Sequence, residues 1–125
     1  MNNEYNNELI VTIVKRGWAE PVLAATRRAG AEGGTILLGR GTGIHEMKTL
    51  LGIAIEPEKE IVLTVVGARE TDRVLDAIVA AAELDRPGMG IAFVLPIRCV
   101  AGRVHMFRKD EAEEPEGPGV PRSPV

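Results

Sequence analysis

The chain has 125 residues, of which 45% are hydrophobic, 26% charged and 3% aromatic, and its formal net charge is −3. This length predicts one domain. The proportions of hydrophobic, charged and aromatic residues are typical of a soluble globular protein with an aliphatic core. The acidic net charge argues against a nucleic-acid surface, which normally carries a basic stripe that displaces counterions from phosphates.

The first half of the chain predicts a strand, a helix and a second strand. Residues 9–14 are a continuous β-branched run of strand length, and they follow a polar leader over residues 1–8 that we expect to be flexible. Apolar residues then recur at helical spacing from Pro21, which suits a first turn, to Gly30, which ends the pattern. Residues 35–38 predict a second strand between glycines.

The second half predicts the same order of strand, helix and strand. Residues 60–66 predict a third strand, and apolar residues at helical spacing over 74–82 predict a second helix. A Pro-Gly turn separates this helix from a last strand over residues 91–95. We expect residues 97–100 to continue that strand past the break at Pro96.

The resulting order, β-α-β-β-α-β, predicts an α+β ferredoxin-like fold, in which an antiparallel four-stranded sheet has both helices on one face. The third strand is apolar at nearly every position, whereas a strand with one face in water should alternate. We therefore expect the uncovered face to be buried against other copies of the chain. The domain spans residues 9–108, and the acidic, Pro/Gly-rich residues 109–125 predict a disordered tail.

Side chains with catalytic or metal-binding chemistry are few. Cys99, the only cysteine, lies in or beside a strand that we expect to be buried, which is more typical of a small hydrophobic residue than of a nucleophile. His45 and His105 have no neighbours at the spacing of metal ligands. A signal peptide and an apolar run of about 20 residues are both absent. We expect a cytoplasmic protein that is not an enzyme and holds no metal.

Two glycine-rich segments are the strongest candidates for a binding site. Residues 39–43 follow the second strand, and residues 86–90 precede the last strand. Glycines allow backbone N–H groups to approach an anion or a base closely. Tight turn geometry is the alternative explanation for each segment.

With one G-x-G at the end of the second strand and another just before the last strand, the chain resembles the PII family of trimeric signal-transduction proteins. The resemblance covers residues 9 to about 100. It implies a homotrimer with a role in nitrogen regulation and an adenine nucleotide in the cleft between subunits. The ligand-binding residues that it implies are Ile13, Thr35, Gly41, Thr42, Gly43, Leu63, Thr64, Val65, Gly88, Met89, Gly90 and Arg103.

The chain departs from the family at charged positions. Ile91 stands where the family has a phosphate-binding lysine, and Gly102 and Val104 stand where it has two arginines. Each lost charge-assisted contact weakens phosphate binding by about 1.5–3 kcal/mol. The resemblance therefore implies AMP, ADP or cyclic AMP in preference to ATP. Basic residues available to replace the lost charge are Lys59, Arg98, Arg103 and Arg40.

The connection over residues 41–55 corresponds to the family's flexible T-loop. It is shorter than that loop, it has no tyrosine to modify, and His45 replaces the glutamine that helps to hold magnesium and 2-oxoglutarate. Apolar residues in this connection predict a docking surface for a partner, a membrane transporter or a metabolic enzyme; packing against the trimer is the alternative. The residues expected to dock are Ile44, His45, Met47, Leu50 and Leu51.

Two other functions remain open from the sequence. The divalent-cation tolerance protein CutA has the same fold and trimer, and a soft ion such as copper would suit four residues of this chain. These residues are His45, His105, Met47 and Cys99. The second alternative is a structural trimer without a ligand.

Overall fold

A computed structural model of the protein describes residues 6–43, 48–55 and 57–102. Within these residues, six strands and two helices follow one another along the chain. They are β1 (Asn7–Lys15), α1 (Ala19–Arg28), β2 (Thr35–Arg40), β3 (Lys48–Leu50), β4 (Ile53–Ile55), β5 (Glu58–Gly67), α2 (Thr71–Ala82) and β6 (Gly90–Pro96). Apart from the short pair β3 and β4, the order is βαββαβ, which confirms the predicted α+β ferredoxin-like fold.

The main sheet is antiparallel, with the strand order β2-β5-β1-β6. Residues opposite one another in an antiparallel ladder point to the same face, so the register assigns each side chain to a face. One face, the helix face, packs against α1 and α2, and it carries Ile10, Val14, Val62 and Val66. The other face, the open face, carries Leu9, Val11, Ile13, Ile61, Leu63, Val65, Ile91, Phe93, Leu95 and Leu37.

The core lies between the helix face and the two helices. Helix α1 contributes Ala19 and Val22, and helix α2 contributes Val74, Ile78 and Ala82, all of them completely buried. Except for Ala19, which precedes the predicted start of the first helix, these are apolar positions whose helical spacing predicts the two helices. The two helices therefore cover one face of the sheet, as predicted.

A carboxylate from the sheet holds the beginning of helix α1. Trp18, the N-cap residue that precedes this helix, makes no side-chain capping hydrogen bond. Instead, Oε1 of Glu60 accepts hydrogen bonds from the backbone N–H groups of Gly17 at 2.7 Å and Ala19 at 3.0 Å. The first amide groups of a helix lack partners within the helix and carry partial positive charge, so an acidic group there is stabilising. Strand β5 is thereby tied to α1.

The beginning of β1 corrects one predicted boundary. The strand starts at Asn7, which is 2% exposed, and both Asn7 and Glu8 pair with the end of β5. Oε1 of Glu8 also accepts a hydrogen bond from the Thr71 hydroxyl at 2.6 Å, in the first turn of α2. These two residues therefore belong to the folded domain, not to the flexible leader expected over residues 1–8. Residues 1–5 lie outside the described residues.

The other strand ends also differ from the predictions; β5, for example, begins at Glu58 where residue 60 was predicted. Strand β2 runs two residues further than predicted, to Arg40, because β5 begins early enough to pair with it through Glu58. Strand β6 ends at Pro96, so the continuation expected over residues 97–100 is not found. The N–H of Ile97 donates one last hydrogen bond to the Asn7 carbonyl at 3.1 Å.

The connection between β2 and β5 contains a hairpin that the sequence did not predict. Strands β3 and β4 pair only with each other, in a two-stranded sheet of their own. Leu51 and Gly52 form the turn, with φ values of 53° and 79°. Positive φ at both central residues is the geometry of a type I′ turn. The predicted tail over residues 109–125 lies outside the described residues.

Candidate functional site

A cleft of about 480 Å³ lies on the open face, at the end of the sheet where β1 finishes and β6 begins. Small-molecule sites commonly measure about 300–1,000 Å³, so the cleft has room for a ligand. It brings together the ends of four strands and both glycine-rich segments. The lining residues are Ile13, Arg40, Gly41, Thr42, Gly43, Lys59, Ile61, Gly88, Gly90 and Ile91.

Three isoleucines form an apolar row across the cleft. Ile13 of β1 lies directly opposite Ile61 of β5 on one side and Ile91 of β6 on the other. Neighbouring strands are about 4.8 Å apart, so this isoleucine row spans about 10 Å. Ile91 is 55% exposed, which places its side chain at the mouth of the cleft. A flat, uncharged group can bury its apolar surface on such a row.

One wall of the cleft is the base of the hairpin connection. Gly41, Thr42 and Gly43 directly follow β2 and line the cleft. The Gly41 N–H donates a hydrogen bond to the Pro57 carbonyl at 3.1 Å, which joins the two ends of the connection that carries β3 and β4. A ligand in the cleft therefore contacts the segment from which the hairpin projects.

The opposite wall contains Gly88 and Gly90, and the structure requires a glycine at each position for a different reason. Gly88 has φ +82° and open space around the position of a Cβ. Gly90 has φ +146°, and a Cβ there would collide with the Ile13 carbonyl oxygen and approach Val14 Cγ1 to 3.1 Å. Gly90 thus allows β6 to pair closely with β1, while Gly88 forms a turn that faces the cleft.

The cleft has a basic residue on its open-face side. Lys59 is only 9% exposed, and its Cγ lies 3.9 Å from the position of a Cβ on Gly41. Arg40 also lines the cleft, but the register places it opposite Glu58 and so on the helix face. Lys59 therefore supplies positive charge beside the isoleucine row.

Half of the ligand-binding residues implied by the family resemblance line this cleft. They are Ile13, Gly41, Thr42, Gly43, Gly88 and Gly90. Thr35, Leu63 and Val65 lie on the open face, but further along the sheet and outside the lining. The structure does not bring the other two described residues, Thr64 and Met89, to the cleft. Thr64 lies completely buried on the helix face, and Met89 is 9% exposed beneath its turn.

Among the basic residues considered as replacement charge, Lys59 and Arg40 line the cleft and Arg98 does not. Arg103 lies outside the described residues. Ile61 was missed in the sequence, although the period-two alternation of β5 places it on the same face as Leu63 and marks it as a candidate.

The residues expected to dock a partner are described only in part. Ile44, His45 and Met47 lie outside the described residues, and the structure shows Leu50 only as the last residue of β3. Leu51 is 93% exposed in the turn, and Ile53, which follows the turn, is 68% exposed. The hairpin thus presents two apolar side chains to solvent.

The fold and the cleft define a class of protein: a small ferredoxin-like domain with a ligand-sized site beside a projecting loop. The family model for the nitrogen regulatory protein P-II matches residues 7–108. The chain belongs to the P-II family, as the resemblance in its glycine segments indicates, and this membership supports a regulatory role in signal transduction. A search of curated proteins finds no match.

The alternative of a CutA-like metal-binding protein can be compared with the P-II match and with the positions of the possible metal ligands. In the part of the chain that the structure describes, no group of three or more His, Cys, Asp or Glu residues is placed to hold a metal ion. Cys99 is exposed, not buried as expected. Nothing therefore supports the CutA-like alternative.

No helix within the described ranges is long and apolar enough to cross a membrane.

Proposed function

We propose that this protein is a P-II-type regulator that binds an adenine nucleotide in the cleft and controls a partner protein through the connection over residues 41–55. One observation supports this proposal most strongly. The segment over residues 41–43 lines the cleft and also begins the connection that carries the hairpin. Contact between a ligand and this segment biases the hairpin, which is an ordinary way for a ligand to order a loop.

The cleft favours a nucleotide with few phosphates. Ile13, Ile61 and Ile91 offer apolar surface to the base, and Gly88 leaves backbone accessible beside it. At Ile91, the side chain that lines the cleft is aliphatic and brings no charge to outer phosphates. We therefore propose that AMP, ADP or cyclic AMP binds in preference to ATP, without a metal ion. The nucleotide is not hydrolysed, so the protein acts as a sensor and not as an enzyme.

The open face supports assembly as a homotrimer. P-II proteins are generally oligomeric regulators, and three aliphatic or aromatic residues of β6 on this face, Ile91, Phe93 and Leu95, are 40–55% exposed. Val65 of β5, on the same face of this sheet, is 39% exposed. Burying such side chains contributes about 25 cal/mol for each Å² of apolar surface removed from water. In the trimer, the cleft lies between neighbouring subunits.

The hairpin is the element that contacts the partner. Leu51 and Ile53 have no packing role in the described part of the chain that would account for their apolar side chains, and they lie at the far end of a hairpin that pairs only with itself. Exposed apolar residues of this kind are typical of a docking surface. We propose a membrane transporter or a metabolic enzyme as the partner.

Titration calorimetry with AMP, ADP, cyclic AMP and ATP tests the proposal. Two matched substitutions distinguish the contribution of the cleft to nucleotide binding from that of the hairpin. Ile91→Glu places a carboxylate in the cleft, and Ile53→Glu places one on the hairpin. We expect Ile91→Glu to abolish binding of every nucleotide and Ile53→Glu to leave binding unchanged. Absence of binding to the unmodified protein near 1 mM, which corresponds to about −4 kcal/mol, contradicts the proposal.

A further inference from the structure

The ladder between β2 and β5 ends in a pair of residues that forms only one backbone hydrogen bond. Arg40 ends β2 and lies opposite Glu58, which begins β5, and Gly41 and Pro57 come next. The Gly41 N–H donates to the Pro57 carbonyl at 3.1 Å. Opposite residues of this kind in an antiparallel ladder normally exchange two hydrogen bonds, but proline has no N–H to donate. Gly41 and Pro57 therefore form a half pair.

The sheet side of this half pair is held by side chains as well as by the backbone. Glu58, the residue after Pro57, forms an ion pair with Arg16 at 2.7 Å, and the register places it opposite Arg40. Opposite charges directly across a ladder stabilise the pairing of the strands. Lys59, the next residue, is 9% exposed. These contacts hold β5 in place as far as its first residue.

The hairpin side of the half pair has less support. In the described ranges, β3 and β4 pair with each other and not with the main sheet. Gly41 has no side chain to pack against the sheet, and the atom nearest to the position of a Cβ there is Lys59 Cγ, at 3.9 Å. The half pair therefore resists rotation of the hairpin less than a complete pair would.

We propose that the half pair is a hinge about which the hairpin moves relative to the main sheet, and that Pro57 keeps the hinge loose by leaving out the second hydrogen bond. Hinges are commonly a few residues at the ends of elements that absorb changes in φ and ψ. The hinge goes beyond the proposed function, because it is a property of the chain without any ligand. Gly41 also lines the cleft, so a molecule that contacts it there lies at the hinge.

Amide nitrogen relaxation and relaxation dispersion of the full chain without ligand test this proposal. Together they report motion on the nanosecond and the millisecond timescales, and order parameters are about 0.85 for a rigid backbone and below about 0.6 for a flexible one. We expect more motion in β3 and β4 than in β5. Pro57→Ala supplies the missing N–H, so it should reduce the motion of β3 and β4 to the level of β5.

Two substitutions at Gly41 form a matched comparison. Gly41→Pro removes the N–H of the half pair, so it should increase the motion of β3 and β4 and leave β5 unchanged. Gly41→Ala keeps the N–H, and its Cβ meets Lys59 Cγ only at an ordinary contact distance. The alanine variant should therefore match the wild type.

The hinge is wrong if β3 and β4 of the wild type show no more motion than β5 on either timescale. Hydrogen exchange of the new N–H at position 57 in Pro57→Ala shows whether the second hydrogen bond forms. Slow exchange together with a less mobile hairpin supports the proposal. Fast exchange contradicts the half-pair argument, and slow exchange with an unchanged hairpin contradicts the hinge. These measurements need no nucleotide, so their outcome is independent of whether the proposed function holds.

Discussion

Replacement of Gly90 by alanine should destabilise the protein far more than the same replacement at Gly88. At Gly90, φ is +146°, and a Cβ would collide with the carbonyl oxygen of Ile13 and approach Val14 Cα to 3.3 Å. The colliding atoms belong to the backbone of the central strand β1, so a side chain cannot rotate away to relieve the contact. Strain at the left-handed φ and overpacking together cost about 3–5 kcal/mol.

Gly88 is the matched control for this prediction. Its φ is +82°, but nothing lies within 4 Å of the Cβ position. Gly88→Ala should therefore cost only the conformational strain, about 1–2 kcal/mol. Urea unfolding followed by the fluorescence of Trp18, the only tryptophan, measures both free energies of unfolding. Equal destabilisation by the two substitutions would refute the argument that β1 requires a glycine at position 90.

Substitutions at three further positions test the ends of the helices and the buried hydroxyl between the sheet and the helices. Glu60→Ala removes the carboxylate that caps α1 and should lower the free energy of unfolding by about 1–2 kcal/mol in urea, with Glu60→Gln less affected because it keeps an acceptor. Glu83→Gly should raise the free energy of unfolding in urea by about 1 kcal/mol, because Glu83 follows α2 in the left-handed region, with φ 53°, where glycine is unstrained. An unchanged urea midpoint would show that Glu83 is not strained there. Thr64→Val should also stabilise by about 1 kcal/mol in thermal unfolding, since the Thr64 hydroxyl is buried without a hydrogen-bond partner. A destabilised Thr64→Val would show that the hydroxyl is satisfied.

The main elements of the fold could be predicted from the sequence because their apolar patterns are long. Both helices and the four strands of the sheet show regular spacing, and the core positions Val22 and Ile78 fit it. The hairpin could not be predicted, because its strands have three residues each and its turn has Leu51 where a type I′ turn favours Asn, Asp or Gly. Asn7 and Glu8 were left out of β1 because they continue the polar leader, and only the pairing with β5 shows that they belong to the strand.

The site was harder to predict than the fold, because it depends on strand register. The glycine segments predicted a site at the end of the sheet where the cleft lies, and Gly41 and Gly88 line that cleft. Lys15 and Lys59, however, lie opposite each other on strands that are far apart in the sequence, so only the strand register shows that they are neighbours. The face of Thr64 likewise follows from register, and a shift of one residue would have moved it to the open face.

Hydrogen exchange of the full chain with and without AMP tests the central claim most directly, because it reports on the cleft and the hairpin in one measurement. The account predicts slower amide exchange at Gly41, Thr42 and Gly43 when AMP is bound, together with a change in exchange across β3 and β4. Exchange in α1, on the other side of the sheet, should stay the same. Protection confined to the cleft, with the hairpin unaffected at saturating AMP, would contradict the claim that the ligand controls the docking element.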